Sequence, residues 1–471
     1  MSGVKEAVAP LSLTSHPLQR AGAWAVAVLA DRPAPQGATS GDLDAVVSRL
    51  VADVVNAASA GKGTAAYDWW KVLFALYPNS KATHSKRSRD RAVLEVSIAE
   101  MFAPELAGEP ERPCTFCGAA ATAVWAKSTL PLFDTNKALN TLPPGVPGWP
   151  VCRGCRIAMW ALPYGAWVTV GSATVLSCEV GAAEREFAER NVRNAQRVMQ
   201  LGFGGLPPGA RAEQVAAHAL RSLQPLLPAA ATLWSFKNDN QDPWLRVTQT
   251  RRAVPLFLAR VDGNAELRLG WLLLQRSLTR RDKNGQVTTS GPAEAARLLF
   301  EAEDGRSRSL ISQLHYLLQD PDRAWRARDR AALSRLAFTY AEEVLGMKTD
   351  LKPVATVIAD WIEHGSGSPR GRLAEYRSVA LNDYRLGALL LQAHFRLTLD
   401  GREVGAQPQH WEPLIQQRPR AWEQRMLLAA HVLELLRERG VAVNDKAEEE
   451  VDDPVEQLLQ KSVFDDEMGP A

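Results

Sequence analysis

Cys114-Thr115-Phe116-Cys117-Gly118 and, with 34 residues between Cys117 and Cys152, Cys152-Arg153-Gly154-Cys155 form the most specific pattern in this chain of 471 residues. Two residues between the cysteines of each pair let both thiolates turn toward one tetrahedral ion, and Gly118 and Gly154 suit the tight turns of such knuckles. The four thiols read as a site for one structural Zn²⁺, with a redox or disulfide pair as the alternative chemistry. A closed set of four sulfurs leaves no open coordination position, so a metal held there would be structural rather than catalytic. The fifth thiol, Cys178, lies in an apolar, strand-like run and reads as a core residue.

Composition changes on either side of the cysteines. Residues 112–180 hold the two pairs, a Pro/Gly-rich middle from Pro143 to Pro150 and a β-like run Trp167–Leu176, and read as a zinc ribbon inserted into a larger domain. Residues 1–111 and 181–345 are expected to be the two parts of that domain. The first carries helical periodicity over Leu11–Ala30 and Leu43–Ala57, then an aromatic stretch, Tyr67–Tyr77. The second carries a helix over Ala182–Leu201, a breaker-rich loop at Gly202–Gly209 and strand-like pieces at Val254–Leu258 and Leu267–Leu274. Turn chemistry at Asp262-Gly263-Asn264 and Asn284-Gly285 suggests hairpins. After about residue 290 the runs 292–303, 306–318, 328–345, 350–363, 370–399, 408–416 and 418–439 are helical. The expected fold is therefore α+β and predominantly helical: a mixed α/β N-terminal domain with a four-cysteine insertion, a C-terminal helical bundle at 346–440, and an acidic tail at 441–471.

Charge is segregated along the chain. There are 55 Lys and Arg against 53 Asp and Glu, a formal charge of +2. From Val441 onward, however, ten acidic residues face only Lys446 and Lys461, so the tail carries −8 and the body +10. Such a tail reads as solvated and disordered, or as a competitor of nucleic acid for the basic body. The apolar run Ala21–Ala30 is too short to span a bilayer, which needs roughly 20 residues. Five cysteines in such a chain suit a reducing compartment, so a soluble cytoplasmic protein without membrane contact is expected. The sequence contains no HExxH, GxSxG or Walker A motif, and Gly61-Lys62-Gly63-Thr64 lacks the upstream glycine of a phosphate loop. An enzyme is not expected.

Several segments converge on one family. Leu13-Thr14-Ser15-His16-Pro17-Leu18 with Ala21-Gly22-Ala23, then Tyr77-Pro78-Asn79-Ser80, the four cysteines, Pro131-Leu132-Phe133 between them, and Leu162-Pro163-Tyr164-Gly165 after them occur in the order found in that family. Over residues 11–180 the chain resembles the zinc-containing large subunit of a type I-B CRISPR Cascade, an RNA-guided surveillance complex. The resemblance implies a non-catalytic subunit that reads the target-flanking motif (PAM) in duplex DNA, supports R-loop formation and holds the displaced strand, while CRISPR RNA reads sequence. It implies as partners the backbone, guide 5′-end-binding and small subunits and a helicase-nuclease. Transposition proteins would replace the helicase-nuclease in an RNA-guided transposon, and a zinc-ribbon nucleic-acid enzyme is the reading from another class.

Candidate DNA contacts follow the charge pattern. Lys81, Lys86, Arg87, Arg89 and Arg91 form the densest basic cluster and could track phosphates, or simply be a solvated loop. Lys237, Asn238 and Asn240 could read groove acceptors, though Asn and Asp are also ordinary turn residues. Arg280, Arg281 and Lys283 flank a predicted hairpin turn. Arg385 and Arg396 share one helix face, which Arg377, Arg418, Arg420 and Arg425 could extend toward a displaced strand, with intrahelical pairing as the alternative.

The resemblance also implies that a small subunit is made from an internal start in the same reading frame. Met347 follows the breaker Gly346, and a product from Met347 to Ala471 holds 125 residues. Glu342-Glu343-Val344 can be encoded with the ribosome-binding sequence GGAGGT seven nucleotides before that ATG, although a helix end explains two glutamates equally well. Changing both Glu codons to GAA is expected to abolish a short C-terminal product on an immunoblot; persistence of that product would overturn the assignment of Met347.

Overall fold

A computed structural model describes residues 10–106, 108–126, 129–131, 148–206, 209–238, 243–302, 309–319, 325–347, 350–417 and 421–441. It is predominantly helical with small antiparallel sheets, and it divides into two compact units. The first comprises residues 1–255 and 300–305, the second 256–299 and 306–471. The division at 255/256 lies well before residue 346, where the sequence places the C-terminal bundle.

The first unit opens with α1 (Pro17–Leu29), α2 (Ser40–Ser59), α3 (Ala65–Leu76) and α4 (Arg91–Ala99). Helix α1 starts later than the apolar run suggests, with Pro17 at its first position, where a missing N–H costs nothing. Helix α2 is fixed by a capping box in which the Thr39 hydroxyl accepts from the Asp42 N–H and the Asp42 carboxylate accepts from the Thr39 N–H. Two short antiparallel strand pairs follow, the hairpin of β1 (Arg112–Pro113) with β2 (Ala120–Ala121) and the pair β3 (Val124–Trp125) with β4 (Trp149–Pro150), and lead into α5 (Arg153–Gly165).

Helix α5 is the centre of this unit. Every residue from Ile157 to Leu162 is buried. Trp160 stacks on Tyr77 with ring centroids 4.4 Å apart, and the Tyr77 hydroxyl donates to the Met159 carbonyl. Its contact with α1 is close enough that a Cβ on Gly22 would lie 1.8 Å from the Ala158 carbonyl oxygen, so only glycine fits there. Beyond α5 come β5 (Trp167–Val168), β6 (Ala173–Cys178), α6 (Gly181–Leu201), α7 (Ala212–Arg221), β7 (Ala231–Lys237) and β8 (Trp244–Gln249). Glu184, on α6 and 2 % exposed, accepts from Arg20 Nε at 2.6 Å, Trp24 Nε1 at 2.8 Å and the Cys178 N–H at 3.0 Å. One buried carboxylate thereby ties α1, β6 and α6 together, with its charge matched by the guanidinium. Cys178 is buried as expected.

The block 112–180 shares its core with the helices that precede it. Residues Cys114, Ala121, Trp125, Val151, Cys155 and the whole apolar length of α5 belong to the same core cluster as α1, α2 and α3. The Cys/Pro/Gly-rich composition marks a knuckle region, and the helix that follows it is buried over nearly its whole length.

The second unit begins within α8 (Val254–Gly263), followed by α9 (Ala265–Leu278), β9 (Arg280–Arg281), β10 (Val287–Thr289) and α10 (Gly291–Arg297). The chain then returns to the first unit with β11 (Glu301–Ala302), which completes an antiparallel sheet of order β11-β8-β7-β6-β5. The expected strands at Val254–Leu258 and Leu267–Leu274 are helices. Val254, Phe257, Leu258 and Val261 recur at i, i+3, i+4 and i+7, and Leu267, Trp271 and Leu274 at i, i+4 and i+7, so the short apolar runs carry a helical period. Asn264 is not in a hairpin turn; its side chain caps α9 by accepting from the Leu267 N–H at 3.0 Å. The hairpin at Asn284-Gly285 is present between β9 and β10.

The rest of the second unit is helical: α11 (Leu310–Gln319), α12 (Ala327–Thr339), α13 (Lys352–His364), α14 (Pro369–Val379), α15 (Asp383–Leu399), α16 (Pro408–Ile415) and α17 (Ala421–Glu438). The run 370–399 is broken where Asn382 caps α15. Glu343, in the π-turn Tyr340–Val344 after α12, pairs with Arg260, and Met347 lies between that turn and α13.

Candidate metal centre and basic surface

The first cysteine pair sits in the turn of the β1–β2 hairpin. The Cys114 N–H donates to the Ala119 carbonyl at 2.7 Å, and the Gly118 N–H donates back to the Cys114 carbonyl at 2.9 Å. Gly118 takes φ +77°, a conformation that glycine adopts without strain. The second pair lies at the start of α5, with Cys152 as its N-cap residue and Cys155 in the first turn. Gly154 is required there for a reason other than a turn: a Cβ would lie 2.1 Å from the Pro10 carbonyl oxygen. The Thr115 N–H donates to the Pro150 carbonyl at 2.9 Å and joins the two knuckles.

All four sulfurs lie within 4.8 Å of one another, with Cys117 Sγ and Cys152 Sγ 3.5 Å apart, and among the described residues this is the one such group of potential ligands. A tetrahedron with metal–sulfur bonds of about 2.3 Å has sulfurs roughly 3.8 Å apart, so the cluster fits a tetrahedral ion. Cys114 and Cys155 are buried and the other two half-buried. The thiols depend on one another's protons. Cys114 is held far below the ordinary thiol range by hydrogen bonds from Cys117, Cys152 and Cys155, whereas Cys155 is pushed far above it, first by its bond to Cys114. Four thiolates this close repel strongly, and a bound cation is what makes their common ionisation favourable.

Residues that the cysteine pattern does not reveal hold the knuckles in place. Gln19, on α1 and fully buried, donates from Nε2 to Cys155 Sγ at 3.7 Å and to the Ser12 carbonyl at 2.8 Å. Glu105 accepts from the Thr122 N–H and the Arg153 N–H, both at 2.7 Å, and from Arg156 at 3.0 Å. It links the β2–β3 connection to the positive end of α5. Burial raises the Glu105 pKa, but the bonds from Thr122 and Arg156 outweigh it and hold the carboxyl below its usual range. A carboxylate depressed in the folded state stabilises the fold above its unfolded pKa and loses that contribution as pH falls. No local sequence signal distinguishes Gln19 or Glu105 from other polar residues in those segments.

The candidate DNA contacts are divided between the two units. Lys81, Lys86, Arg89 and Arg91 are exposed in the first unit, Lys81 paired with Glu100 at 3.3 Å and Arg91 bonded to Ser59 Oγ. Arg87 is half-buried, donates to the Ala58 carbonyl and lies over the Trp70 ring at 4.4 Å. Trp70 is itself stacked between Tyr67 and Phe74 of α3, with centroids 5.1 and 5.3 Å away, and Phe74 is 44 % exposed. The expected solvated loop is thus a segment anchored on an aromatic stack, whose i, i+3, i+7 spacing the sequence already displays. Asn238 is buried, and its amide donates to the Leu76 carbonyl at 2.7 Å, so it fastens β7 to α3 instead of facing a groove. Lys237 is half-buried at the end of β7, and Asn240 lies outside the described residues.

In the second unit, Arg280, Arg281 and Lys283 are exposed on the β9–β10 hairpin. Arg385 and Arg396 are exposed on α15, with Arg396 paired to Asp400 at 3.2 Å, and Arg377 is exposed on α14. Arg425 does not extend that face. It is buried and donates to the Leu414 carbonyl at 2.8 Å. Arg418 and Arg420 lie outside the described residues, as does the acidic tail from Ala442. No described helix is long and apolar enough to cross a membrane.

Comparison with family models, curated proteins and solved structures finds no match to this chain.

Purified protein is expected to carry one tetrahedral metal ion per chain. Cys117→Ser with Cys152→Ser should remove it and lower the melting temperature by roughly 10 °C or more, as expected for a structural metal site in a unit of this size. Metal-free protein with an unchanged melting curve would contradict the assignment.

Proposed function

We propose that the four cysteines hold a structural Zn²⁺, and that the chain is the non-catalytic large subunit of an RNA-guided type I effector complex that binds target DNA beside its flanking motif. All-sulfur ligation with no open position favours zinc in a structural role. When bound, the ion supplies charge neutralisation and a rigid cross-link between the two knuckles. The four cysteines, Gln19 and Glu105 then set where α1 and α5 meet.

One observation supports the nucleic-acid role above the others. The basic segment Lys81–Arg91 is laid against the Tyr67–Trp70–Phe74 stack by Arg87. Exposed cations beside aromatic faces are the combination that tracks phosphates while stacking bases. The motif order over residues 11–180 places this surface in the part of the chain that resembles the large subunit of Cascade. In that reading Lys86 and Arg89 contact backbone phosphates, and the exposed ring of Phe74 stacks on an unpaired base near the opened duplex. Guide RNA, backbone subunits and small subunits are the partners, including a product started at Met347. A helicase-nuclease, or transposition proteins, would take over the opened DNA.

The test is a salt titration of DNA binding by the full chain, alone and with its partner subunits. Replacing Lys86 and Arg89 by alanine is expected to reduce the slope of log K against log salt by about 0.9 per lost duplex contact. Phe74→Ala is expected to weaken binding to partly unpaired DNA by roughly fivefold or more while leaving that slope intact. Absent or salt-insensitive binding under both conditions would overturn the reading. Turnover of labelled DNA with Mg²⁺ would favour a nucleic-acid enzyme.

A further inference from the structure

Among the described residues, helix α15 presents an unpartnered apolar stripe. Tyr384, Ala388, Leu391, Phe395 and Leu399 follow one another at spacings of four, three, four and four, on one face, and all five are exposed, Tyr384 by 84 % and Leu399 by 81 %. Beside this stripe, α15 and α16 enclose a groove of about 480 Å³ lined by Tyr384, Gly387, Ala388, Leu391, Trp411 and Ile415. A contiguous apolar surface of this kind marks an interaction site.

The chain itself contains a segment suited to cover it. Between the acidic runs of the tail, Asp453-Pro454-Val455-Glu456 has an N-cap aspartate, proline at the first helical position and glutamate three residues after the cap. Val455, Leu458, Leu459 and Val463 then recur at i, i+3, i+4 and i+8, an apolar face two turns long. Reach permits the contact. Helix α17 starts against α16, where Arg425 bonds the Leu414 carbonyl, and its 18 residues run about 27 Å from there. The 12 residues 442–453 span up to roughly 40 Å, so Val455 can return the full length of that helix. Charge favours it as well. Residues 256–299 and 306–441 hold 27 Lys and Arg against 20 Asp and Glu, a charge of +7, and the tail carries −8.

We infer that the segment 454–464, whose apolar residues recur at helical spacing in the sequence, docks those residues on the α15–α16 groove of the same chain, bringing the flanking acidic runs over the second unit. The occupant is this tail; a second copy of the chain and a nucleic acid are the other outcomes of the test.

The experiment compares hydrogen exchange of the full chain with that of the full-chain double variant Leu458→Asp/Leu459→Asp, with the oligomeric state measured by light scattering. In the unmodified protein, monomeric at the concentration used, peptides covering 384–399 and 408–416 should be protected. The double variant should exchange there about tenfold faster, with α13 and α17 unchanged. From the other side, Leu391→Ala should speed exchange within 454–464. Equal exchange of the α15 peptides in both proteins would overturn the inference. So would protection of α15 only in a dimer irrespective of the tail, or only after addition of single-stranded DNA.

Discussion

Cys152 and Cys155 stand at the first turn of α5, and α5 is the helix against which α1, α3 and the following sheet are packed. The sulfur cluster therefore constrains more than a surface knuckle. Its ligands from the β1–β2 hairpin fix where α5 begins, Gln19 carries that position to α1, and the Gly22–Ala158 contact leaves α1 no room to shift. Glu105 adds a carboxylate at the positive end of the same helix. Two pairs of two-residue strands cannot be stable alone. In the proposed reading, a divalent ion shared by four thiolates would supply the cross-link that they lack and, in doing so, orient the core of the first unit.

That arrangement links fold to the proposed function through α3. Its buried face, Trp69, Val72, Leu73 and Leu76, packs into the α5 core, while Tyr67, Trp70 and Phe74 stack on the other side and receive Arg87. The basic segment is held against α3, which packs on the helix that carries Cys152 and Cys155. The second unit offers a different surface, in which exposed arginines and an apolar stripe share α15. A tail that covers the stripe would bring its negative charge to the same helix.

The cysteine spacing made the cluster legible because tetrahedral ligation imposes a local pattern. Most helices were legible for the same reason, since caps and 3.6-residue periodicity are local. What sequence reading missed depends on distant contacts. Residues Val254–Leu258 and Leu267–Leu274 are too short for periodicity alone to separate strand from buried helix, and Asn264 serves a hairpin turn or an N-cap equally well. The composition of 112–180 suggests an insertion because Pro, Gly and Cys dominate its knuckles; that α5 is buried on nearly every side and shares a core with α1, α2 and α3 depends on distant helices that composition does not show. Asn238 has the chemistry of a groove-reading residue but is consumed by the Leu76 carbonyl, and Arg425 likewise by Leu414. Partnership of that kind is set by the fold and leaves no trace in spacing.

The central claim is that the four-cysteine cluster orders α5 and, through it, the first unit. Hydrogen exchange of the amides from Ile157 to Leu162, followed before and after removal of metal by a chelator, tests this most directly. The account predicts slow exchange in the metal-bound protein and loss of most of that protection, together with that of α1, once the metal is removed. Unchanged protection of α5 in metal-free protein would contradict it.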